Sequence, residues 1–165
     1  MDSSTARRIE CRDKEGVQFE LGPFDAGDMD ALLSMYMVFS PRPASQGLPP
    51  EKDETCRRWV IGLVEMSENV LAWRDGRVIG HASINPDHER RDSEFVIFVH
   101  QDFRGRGIGN ELTRWIVDRA REMGLGIVWL TVDTRNFKAI RLYQKHWFRF
   151  TERDATECVM QLDLP

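Results

Sequence analysis

The stretch that decides the fold is Arg104-Gly105-Arg106-Gly107-Ile108-Gly109. An apolar run, Phe95–Val99, precedes it and is typical of a strand that is buried on both faces. A helical pattern of apolar residues follows it from Ile108 onward. Glycines at alternate positions permit unusual backbone angles, so several N–H groups can converge at the positive end of the helix dipole. The sequence therefore predicts a strand-to-helix turn that binds an anion, with phosphate as the expected group.

The spacing of these glycines excludes two common nucleotide-binding loops. A P-loop requires G-x-x-x-x-G-K-[ST], and a dinucleotide-binding turn requires G-x-G-x-x-G. The glycines here follow G-x-G-x-G, and no lysine followed by Ser or Thr closes the turn. On this segment alone, an ordinary tight connection between a strand and a helix remains the alternative.

Two segments carry a resemblance to a known family. The first resembles the [QR]-x-x-G-x-[GA] loop of the GCN5-related N-acetyltransferase (GNAT) superfamily, with matches at Arg104, Gly107 and Gly109. The second is similar to the family's N-x-x-A-x-x-x-Y-x-x-x-G-F segment, with matches at Asn136, Ala139, Tyr143 and Phe148. Two positions depart from the family pattern. Gln101 stands where many relatives have proline, and Trp147 replaces the glycine that would end the helix.

The resemblance implies a single α/β domain with a mixed, mostly antiparallel, twisted sheet of six to seven strands flanked by about four helices. Residues 16–165 are expected to form this domain, and residues 1–15 a flexible N-terminal arm. Hydrophobic periodicity predicts strands over 17–21, 70–74, 77–85, 94–100, 127–132, 148–152 and 157–162. Helices are predicted after the N-cap Asp25, over 51–65, from the glycine turn to about residue 124, and from Asn136. The proline-rich stretch Ser40–Pro50 is predicted to be irregular.

Composition limits the kind of protein. A chain of 165 residues with 41% hydrophobic and 30% charged residues suits one globular domain. Its apolar runs are shorter than the roughly 20 residues that cross a membrane, and its polar start lacks a secretion signal, so we expect a cytoplasmic protein without a membrane partner. Three scattered cysteines indicate reduced thiols, and no metal site is expected. A net charge of -4 argues against nucleic-acid binding.

The resemblance also implies a cofactor, acetyl-coenzyme A, which would act as co-substrate. Its pyrophosphate would lie on the glycine turn, and a backbone N–H of Phe98 or Val99, at a bulge, would stabilise the oxyanion. The side chains of Arg104 and Arg106 would add positive charge, although both have the alternative of being solvated surface groups. The expected cofactor-binding residues are Phe98, Val99, Arg104, Gly105, Arg106, Gly107, Ile108, Gly109, Asn136 and Tyr143. Asn136 has a second interpretation as a helix cap.

Acetyl transfer to an amine requires an acid and a base. By resemblance Tyr143 is the general acid, because a tyrosine O–H can protonate a leaving thiolate; a partly buried aromatic residue of an amphipathic helix is the alternative. Glu94, at the start of the strand before the turn, is the candidate base, against the interpretation of a charge at a strand edge. His81 is a rival base or a satisfied, half-buried histidine, and His100 is expected to pack or cap.

The predicted function is therefore direct transfer of an acetyl group from acetyl-CoA to a primary amine. The acceptor, small molecule or peptide, is not specified by any motif; a small amine, amino acid or antibiotic is favoured over a protein lysine or N-terminus. A homodimer is compatible with the sequence. Two alternatives remain: a module that binds acyl-CoA as a sensor without turnover, and a phosphate-binding protein unrelated to coenzyme A.

Overall fold

The structure, a computed structural model, describes residues 8–42 and 49–165. Its strands are β1 (Ile9–Arg12), β2 (Gln18–Pro23), β3 (Glu68–Arg74), β4 (Arg77–Asp87), β5 (Asp92–Val99), β6 (Ile127–Asp133), β7 (Arg149–Arg153) and β8 (Glu157–Asp163). Its helices are α1 (Met29–Met37), α2 (Asp53–Met66), α3 (Ile108–Glu122) and α4 (Phe137–Lys145). Short 3-10 turns at Ala26–Asp28 and Gln101–Phe103 precede α1 and the glycine turn. The predicted α/β class and the four helices are confirmed.

The strands form one sheet in the order β1-β2-β3-β4-β5-β6-β8-β7. All neighbouring pairs are antiparallel except β5 and β6, which are parallel. The parallel pair is short, because it joins only Asp92–Glu94 to Ile127–Trp129. Beyond these residues, no residue of β5 is paired with a residue of β6. We call the gap between them the fork.

Each face of the sheet carries its own apolar core. Residues of α3 and α4 pack with Phe95 on one face, and residues of α1 and α2 pack with Phe98 on the other. Successive side chains of a strand point to opposite faces, so β5 contributes to both cores. This explains why its sequence is an almost unbroken apolar run rather than an alternating one.

Helix α3 lies directly on the sheet at Gly80 of β4. A Cβ atom at this position would lie 2.9 Å from Cδ1 of Leu112, which is too close for any other residue without a shift. The absence of a side chain at Gly80 therefore lets Leu112 of α3 pack directly on the backbone of β4.

The structure differs from the sequence-based expectation at the N-terminus. Ile9–Arg12 forms β1, which pairs with β2 in antiparallel register, so the expected loose arm is wrong for these residues and the sheet has eight strands rather than six or seven. β1 is an edge strand without a fully buried residue, and it therefore lacks the hydrophobic alternation that reveals a strand in sequence. Residues 1–7 of the expected arm, and 43–48 of the proline-rich stretch, lie outside the described residues.

Candidate active site

The glycine turn has the backbone conformation that its sequence predicts. Gly105 and Gly107 have φ angles of 76° and 90°, in the left-handed region that glycine adopts without strain. Gly107 is the N-cap of α3, and no side chain caps this helix start. The first-turn N–H groups of α3 therefore remain available, at the positive end of the helix dipole, for an anion.

Both arginines of the turn are held by protein groups. Nε of Arg104 donates a hydrogen bond to the carbonyl of Val99 at 2.9 Å, and its guanidinium lies 5.0 Å from the ring centre of Phe39. Burial lowers the pKa of Arg104 from its usual value. Arg106 lies 3.8 Å from a carboxylate oxygen of Glu15. Arg104 thus has one donor bonded to a backbone carbonyl, and Arg106 lies near a carboxylate of the protein.

The fork exposes backbone amides of β5. The N–H of His100 donates to Ile79 of β4 at 2.9 Å, which fixes the alternation of hydrogen bonds along the strand. In an antiparallel pair every second residue points its N–H and C=O away from the partner strand. The N–H groups of Ile97 and Val99 therefore point into the fork, whereas the N–H of Phe98 points toward β4. Phe98 and Val99 were the two residues predicted to stabilise the oxyanion, and of these Val99 has its N–H on the open side of the strand.

The expected bulge in β5 is absent from its pairing with β4. The register runs without a shift from Gly80 opposite Val99 to Asp87 opposite Asp92. The irregularity of β4 lies instead on its other side, against β3, between Ala72 and Trp73. The amides of β5 are therefore freed by the divergence of β6 and not by a bulge.

Three elements meet at the first turn of α3. A Cβ atom on Gly109 would lie 3.3 Å from Leu142 of α4, 3.7 Å from Ile97 and 3.8 Å from Val99. The side chains of Asn110 and His146 add a hydrogen bond of 2.9 Å between α3 and α4. The two sequence segments that resemble the family thus lie against each other and against the open amides of β5.

Tyr143 lies on the face of α4 that points to the fork. Its ring centre is 6.1 Å from that of Phe95 and 5.9 Å from that of Phe148. Burial raises the pKa of Tyr143, which keeps its hydroxyl protonated. Across residues 8–42 and 49–165 this hydroxyl has no hydrogen-bond partner, so it remains available to a ligand.

Asn136 begins α4 as a cap. Its side-chain oxygen accepts a hydrogen bond from the N–H of Ala139 at 3.2 Å. This confirms the capping interpretation and leaves the side-chain amide nitrogen for a further contact.

Trp147 ends α4 in place of the family's glycine. It has a φ of 70°. Its N–H donates to the carbonyl of Gln144, and the N–H of Phe148 donates to the carbonyl of Tyr143. This pair of bonds is a Schellman motif, with the contact between Phe148 and Tyr143 that often accompanies it. The helix therefore ends as a glycine would end it, with a strained tryptophan at the left-handed position.

Glu94 lies where the fork opens. It is opposite Asn85 on β4 and is the last residue of β5 paired with β6, opposite Trp129. The side chain is exposed, but neighbouring protein atoms remove part of its hydration and raise its pKa. Because Glu94 precedes Phe95, its side chain lies on the opposite face of the sheet from Tyr143.

Neither histidine is placed to act as a base. His81 is fully buried; its Nδ1 lies 2.7 Å from the hydroxyl of Tyr36 and its Nε2 2.8 Å from Oδ1 of Asn69. Burial lowers the pKa of His81 to about 3. The rival-base hypothesis is therefore wrong, and the satisfied histidine is buried completely rather than by half. His100 accepts a hydrogen bond from the N–H of Asp102 at 3.1 Å, which confirms its predicted capping role.

Two residues near the site were missed by the sequence analysis. Gln101 bridges to the end of α1, because its Oε1 accepts from the N–H of Ser40 at 3.0 Å and its Nε2 donates to Val38 at 2.7 Å. Lys14, on the turn between β1 and β2, runs along Gly107, with its Cγ 3.3 Å from where a Cβ would stand. Both contacts join segments that are distant in sequence, and no local pattern reveals them.

The described part of the chain contains no group of three or more metal-ligating side chains. None of its helices is long and apolar enough to cross a membrane.

Residues 29–148 match the model of the acetyltransferase (GNAT) family. The chain belongs to the GNAT family. This match covers most of the chain and includes both the glycine turn and α4, so the GNAT resemblance predicted from the sequence is confirmed.

Known proteins align with about half of this GNAT chain. It is 30% identical over 86 residues to the L-amino acid N-acyltransferase MnaT of Escherichia coli, covering 50% of each protein. It is 37% identical over 88 residues to the streptothricin acetyltransferase of Streptomyces lavendulae, covering 52% of this chain and 46% of that protein. The chain thus spans about half the length of these relatives.

Solved GNAT structures share the fold over nearly the whole chain. The GNAT domain of S. lividans PAT superposes with a TM-score of 0.77 at 18% identity, covering 95% of this chain and 97% of that one. A phosphinothricin acetyltransferase from Sinorhizobium meliloti, in complex with acetyl-CoA, superposes with a TM-score of 0.70 at 20% identity and covers 87% of each chain. At these identities the similarity establishes the GNAT fold alone.

Proposed function

We propose that this GNAT protein transfers an acetyl group from acetyl-CoA to the primary amine of a small molecule. The observation that carries the proposal is the fork: the free amides of Ile97 and Val99 are on the strand that leads into the glycine turn, and Tyr143 packs on Phe95 of the same strand. A thioester cofactor needs an anion site, a row of hydrogen-bonding groups and an acid near its sulfur. The glycine turn, the open amides of β5 and Tyr143 are our candidates for these three roles.

The cofactor fits the chemistry of the fork. Its pyrophosphate would accept hydrogen bonds from the N–H groups of Gly107, Ile108 and Gly109, and charge-assisted bonds of this kind contribute about 1.5–3 kcal/mol each. The arm between pyrophosphate and thioester contains amide groups, which match the free amides and carbonyls of a strand that lacks a neighbour. The bound cofactor supplies an activated acetyl group.

The acid and base of the reaction are assigned to Tyr143 and Glu94. An alkylammonium with a pKa near 10.4 must lose a proton before it attacks, and burial raises the pKa of Glu94, which makes its carboxylate a better acceptor for that proton than an ordinary one. The elevated pKa of Tyr143 favours its protonated form, which can donate to a departing thiolate with a pKa near 8.5. The N–H of Val99 would stabilise the oxyanion.

The opposite positions of the two groups suit direct transfer. Tyr143 contacts the α3 and α4 core, whereas Glu94 is on the face that carries α1 and α2. An amine that approached from the Glu94 face would meet a thioester lying in the fork, and the thiolate would leave toward Tyr143. No nucleophilic cysteine is required, so acetyl passes from donor to acceptor in one step.

The relatives' names favour a small acceptor. Amino acids, streptothricin and phosphinothricin, as named for those proteins, are small molecules with amino groups. We extend this class, and no single substrate, to the present chain. A protein amine is the second candidate acceptor.

A screen of acceptors tests the proposal directly. Purified protein with acetyl-CoA is expected to release thiol in the presence of at least one amino acid or amine antibiotic, measured by a thiol-reactive dye. Calorimetry with acetyl-CoA, CoA and ATP separates the alternatives. Binding of acetyl-CoA without thiol release from any acceptor would indicate a sensor, and tighter binding of ATP than of CoA would refute the acetyltransferase proposal.

A further inference from the structure

The cation that lies along the glycine turn comes from the N-terminal hairpin. The side chain of Lys14 follows Gly107 closely: its Cγ, Cε and Cδ atoms lie 3.3, 3.6 and 3.9 Å from the position of a Cβ on that glycine. Gly107 is the N-cap of α3, where the uncapped N–H groups begin. We propose that Lys14 binds a phosphate group of acetyl-CoA, an inference that rests on the function proposed above.

The hairpin turn that carries Lys14 is fixed to the glycine turn. The N–H of Lys14 donates to the carbonyl of Arg106 at 2.7 Å, and the side chain of Arg106 lies 3.8 Å from Glu15. These two contacts tie the backbone and one side chain of the cofactor turn to adjacent residues of the hairpin. The position of Lys14 relative to Gly107 is therefore set by direct bonds and not by chance proximity.

A buried ion pair holds the hairpin turn in shape. The carboxylate of Asp13 accepts the N–H groups of Glu15 and Val17, both at 2.9 Å, and pairs with Arg74 at 2.7 Å. The side chains of Asp13 and Arg74 are 0% and 8% exposed. Removal of either partner would leave a buried charge unpaired, which is strongly unfavourable. The buried carboxylate of Asp13, which is bonded on both oxygens, therefore fixes the backbone next to Lys14.

Lys14 differs from the other cations of the turn in its partners. Arg104 is bonded to Val99 and Arg106 is paired with Glu15. For Lys14, no carboxylate among residues 8–42 and 49–165 lies within the 4.0 Å of an ion pair. Lys14 is exposed, and its ammonium ends a flexible four-carbon stem that can turn toward an anion on the turn.

The ligand chemistry is that of a phosphate ester or diphosphate. Coenzyme A carries phosphate at two places, the pyrophosphate and the ribose, and the geometry of Lys14 suits a contact with either. The two are separated by dephospho-coenzyme A, which keeps the pyrophosphate and lacks the ribose phosphate.

Calorimetric titration with coenzyme A and dephospho-coenzyme A tests the inference. We expect Lys14→Gln to bind coenzyme A about 10-fold more weakly than the wild-type protein, and Lys14→Arg to stay within about 3-fold of it, because Arg keeps the charge. The loss should shrink as salt is raised, since an exposed pair is screened. An equal loss for both ligands assigns Lys14 to the pyrophosphate, and a loss confined to coenzyme A assigns it to the ribose phosphate.

Lys52→Gln is the matched control, because this exposed lysine stands at the N-cap position of α2, outside the glycine turn, and its side chain makes no capping bond. It should bind like the wild-type protein, and thermal unfolding should be unchanged for all three variants. Equal affinity of Lys14→Gln and the wild-type protein for coenzyme A would overturn the role of Lys14 and leave the acetyltransferase proposal intact. Failure of the wild-type protein to bind coenzyme A would overturn both.

Discussion

The hydroxyl of Tyr36 lies 2.7 Å from Nδ1 of His81. This bond joins α1 to the middle of the sheet, and Asn69 completes the chain at Nε2 before donating to the carbonyls of Val64 and Ser67. Each polar group of this buried network therefore has a partner. His81 serves as a neutral link between α1, β3, β4 and the end of α2.

The neutral state of His81 predicts a dependence of stability on pH. The folded pKa of about 3 lies below the unfolded value near 6.5, so the unfolded chain binds the proton first. The stability that comes from keeping His81 neutral is complete above pH ~6.5. It is lost as the pH falls toward ~3, at about 1.4 kcal/mol per pH unit. Urea unfolding at several pH values should show a shallower loss for His81→Gln than for the wild-type protein.

Two variants support this measurement. His88→Gln, on the exposed turn between β4 and β5, should retain the wild-type pH dependence. Tyr36→Phe should lower the free energy of unfolding by about 1–3 kcal/mol, because it leaves Nδ1 of His81 without a partner. Identical pH slopes for His81→Gln and the wild-type protein would show that His81 does not stay neutral in the fold.

Tyr143→Phe is expected to lower kcat about 100-fold and to leave the affinity for coenzyme A within twofold. The substitution removes the hydroxyl and keeps the ring that packs on Phe95 and Phe148. Steady-state kinetics with the best acceptor and calorimetry give the two values. Tyr36→Phe, at the chain's other tyrosine, is the control and should affect stability but not kcat. An unaltered kcat would remove Tyr143 from the mechanism.

Glu94→Gln is expected to lower kcat/KM about 100-fold at neutral pH and to recover part of this loss as pH rises. Glu94 accepts a proton only when ionised, so its raised pKa moves the acid limb of the wild-type profile to higher pH. The variant lacks this base, and its rate recovers as the acceptor ammonium loses its proton to solvent near pH ~10. A pH–rate profile tests this. Glu89→Gln, on the exposed turn of the same hairpin, should match the wild-type profile; a Glu94→Gln profile of wild-type shape would exclude Glu94 as the base.

Gly107→Val is expected to abolish detectable binding of coenzyme A. A side chain there is strained at φ 90° and would press on Lys14 in the phosphate site. Gly124→Val, past the other end of α3, has a similar φ of 73° and open space around it, so it controls for strain alone. Both variants should lose stability in thermal unfolding, but only Gly107→Val should lose the ligand in calorimetry. Equal binding by the two would place the phosphate elsewhere.

Trp147→Gly is expected to raise the free energy of unfolding by about 1 kcal/mol, which for a domain of this size is roughly 2–4 °C in Tm. The tryptophan is 83% exposed, so little packing is lost, and glycine relieves the left-handed strain. Thermal and denaturant unfolding measure the change. Trp147→Ala keeps the strain and should show no such gain; an equal gain in both variants would attribute it to the removal of the indole instead.

Local patterns were sufficient to predict most of the fold. The strand limits, the glycine turn and the start of α4 at Asn136 follow from periodicity, conformation and capping, all of which act within a few residues. β1 was missed because an edge strand with one weakly buried face leaves no such pattern. The C-terminal end of α4 was predicted to lack its glycine cap, and the structure shows how Trp147 replaces it.

The candidate site was less accessible to sequence reasoning. Tyr143 and the glycine turn were found because their motifs are contiguous, and the structure brings them together through Gly109 and Leu142. The partners of His81, the bridge formed by Gln101 and the approach of Lys14 depend on segments separated by many residues. The fork replaced the expected bulge for the same reason, since the divergence of two strands is a property of their packing.

The fork also differs from the open edges of the sheet. An unpaired strand edge is normally a template on which another chain can add and aggregate. Here the unpaired groups of β5 lie inside the sheet, and α3 and α4 pack together across one of its faces through Asn110 and His146. The unpaired groups proposed to serve the coenzyme thus belong to an interior strand of the sheet and not to one of its edges.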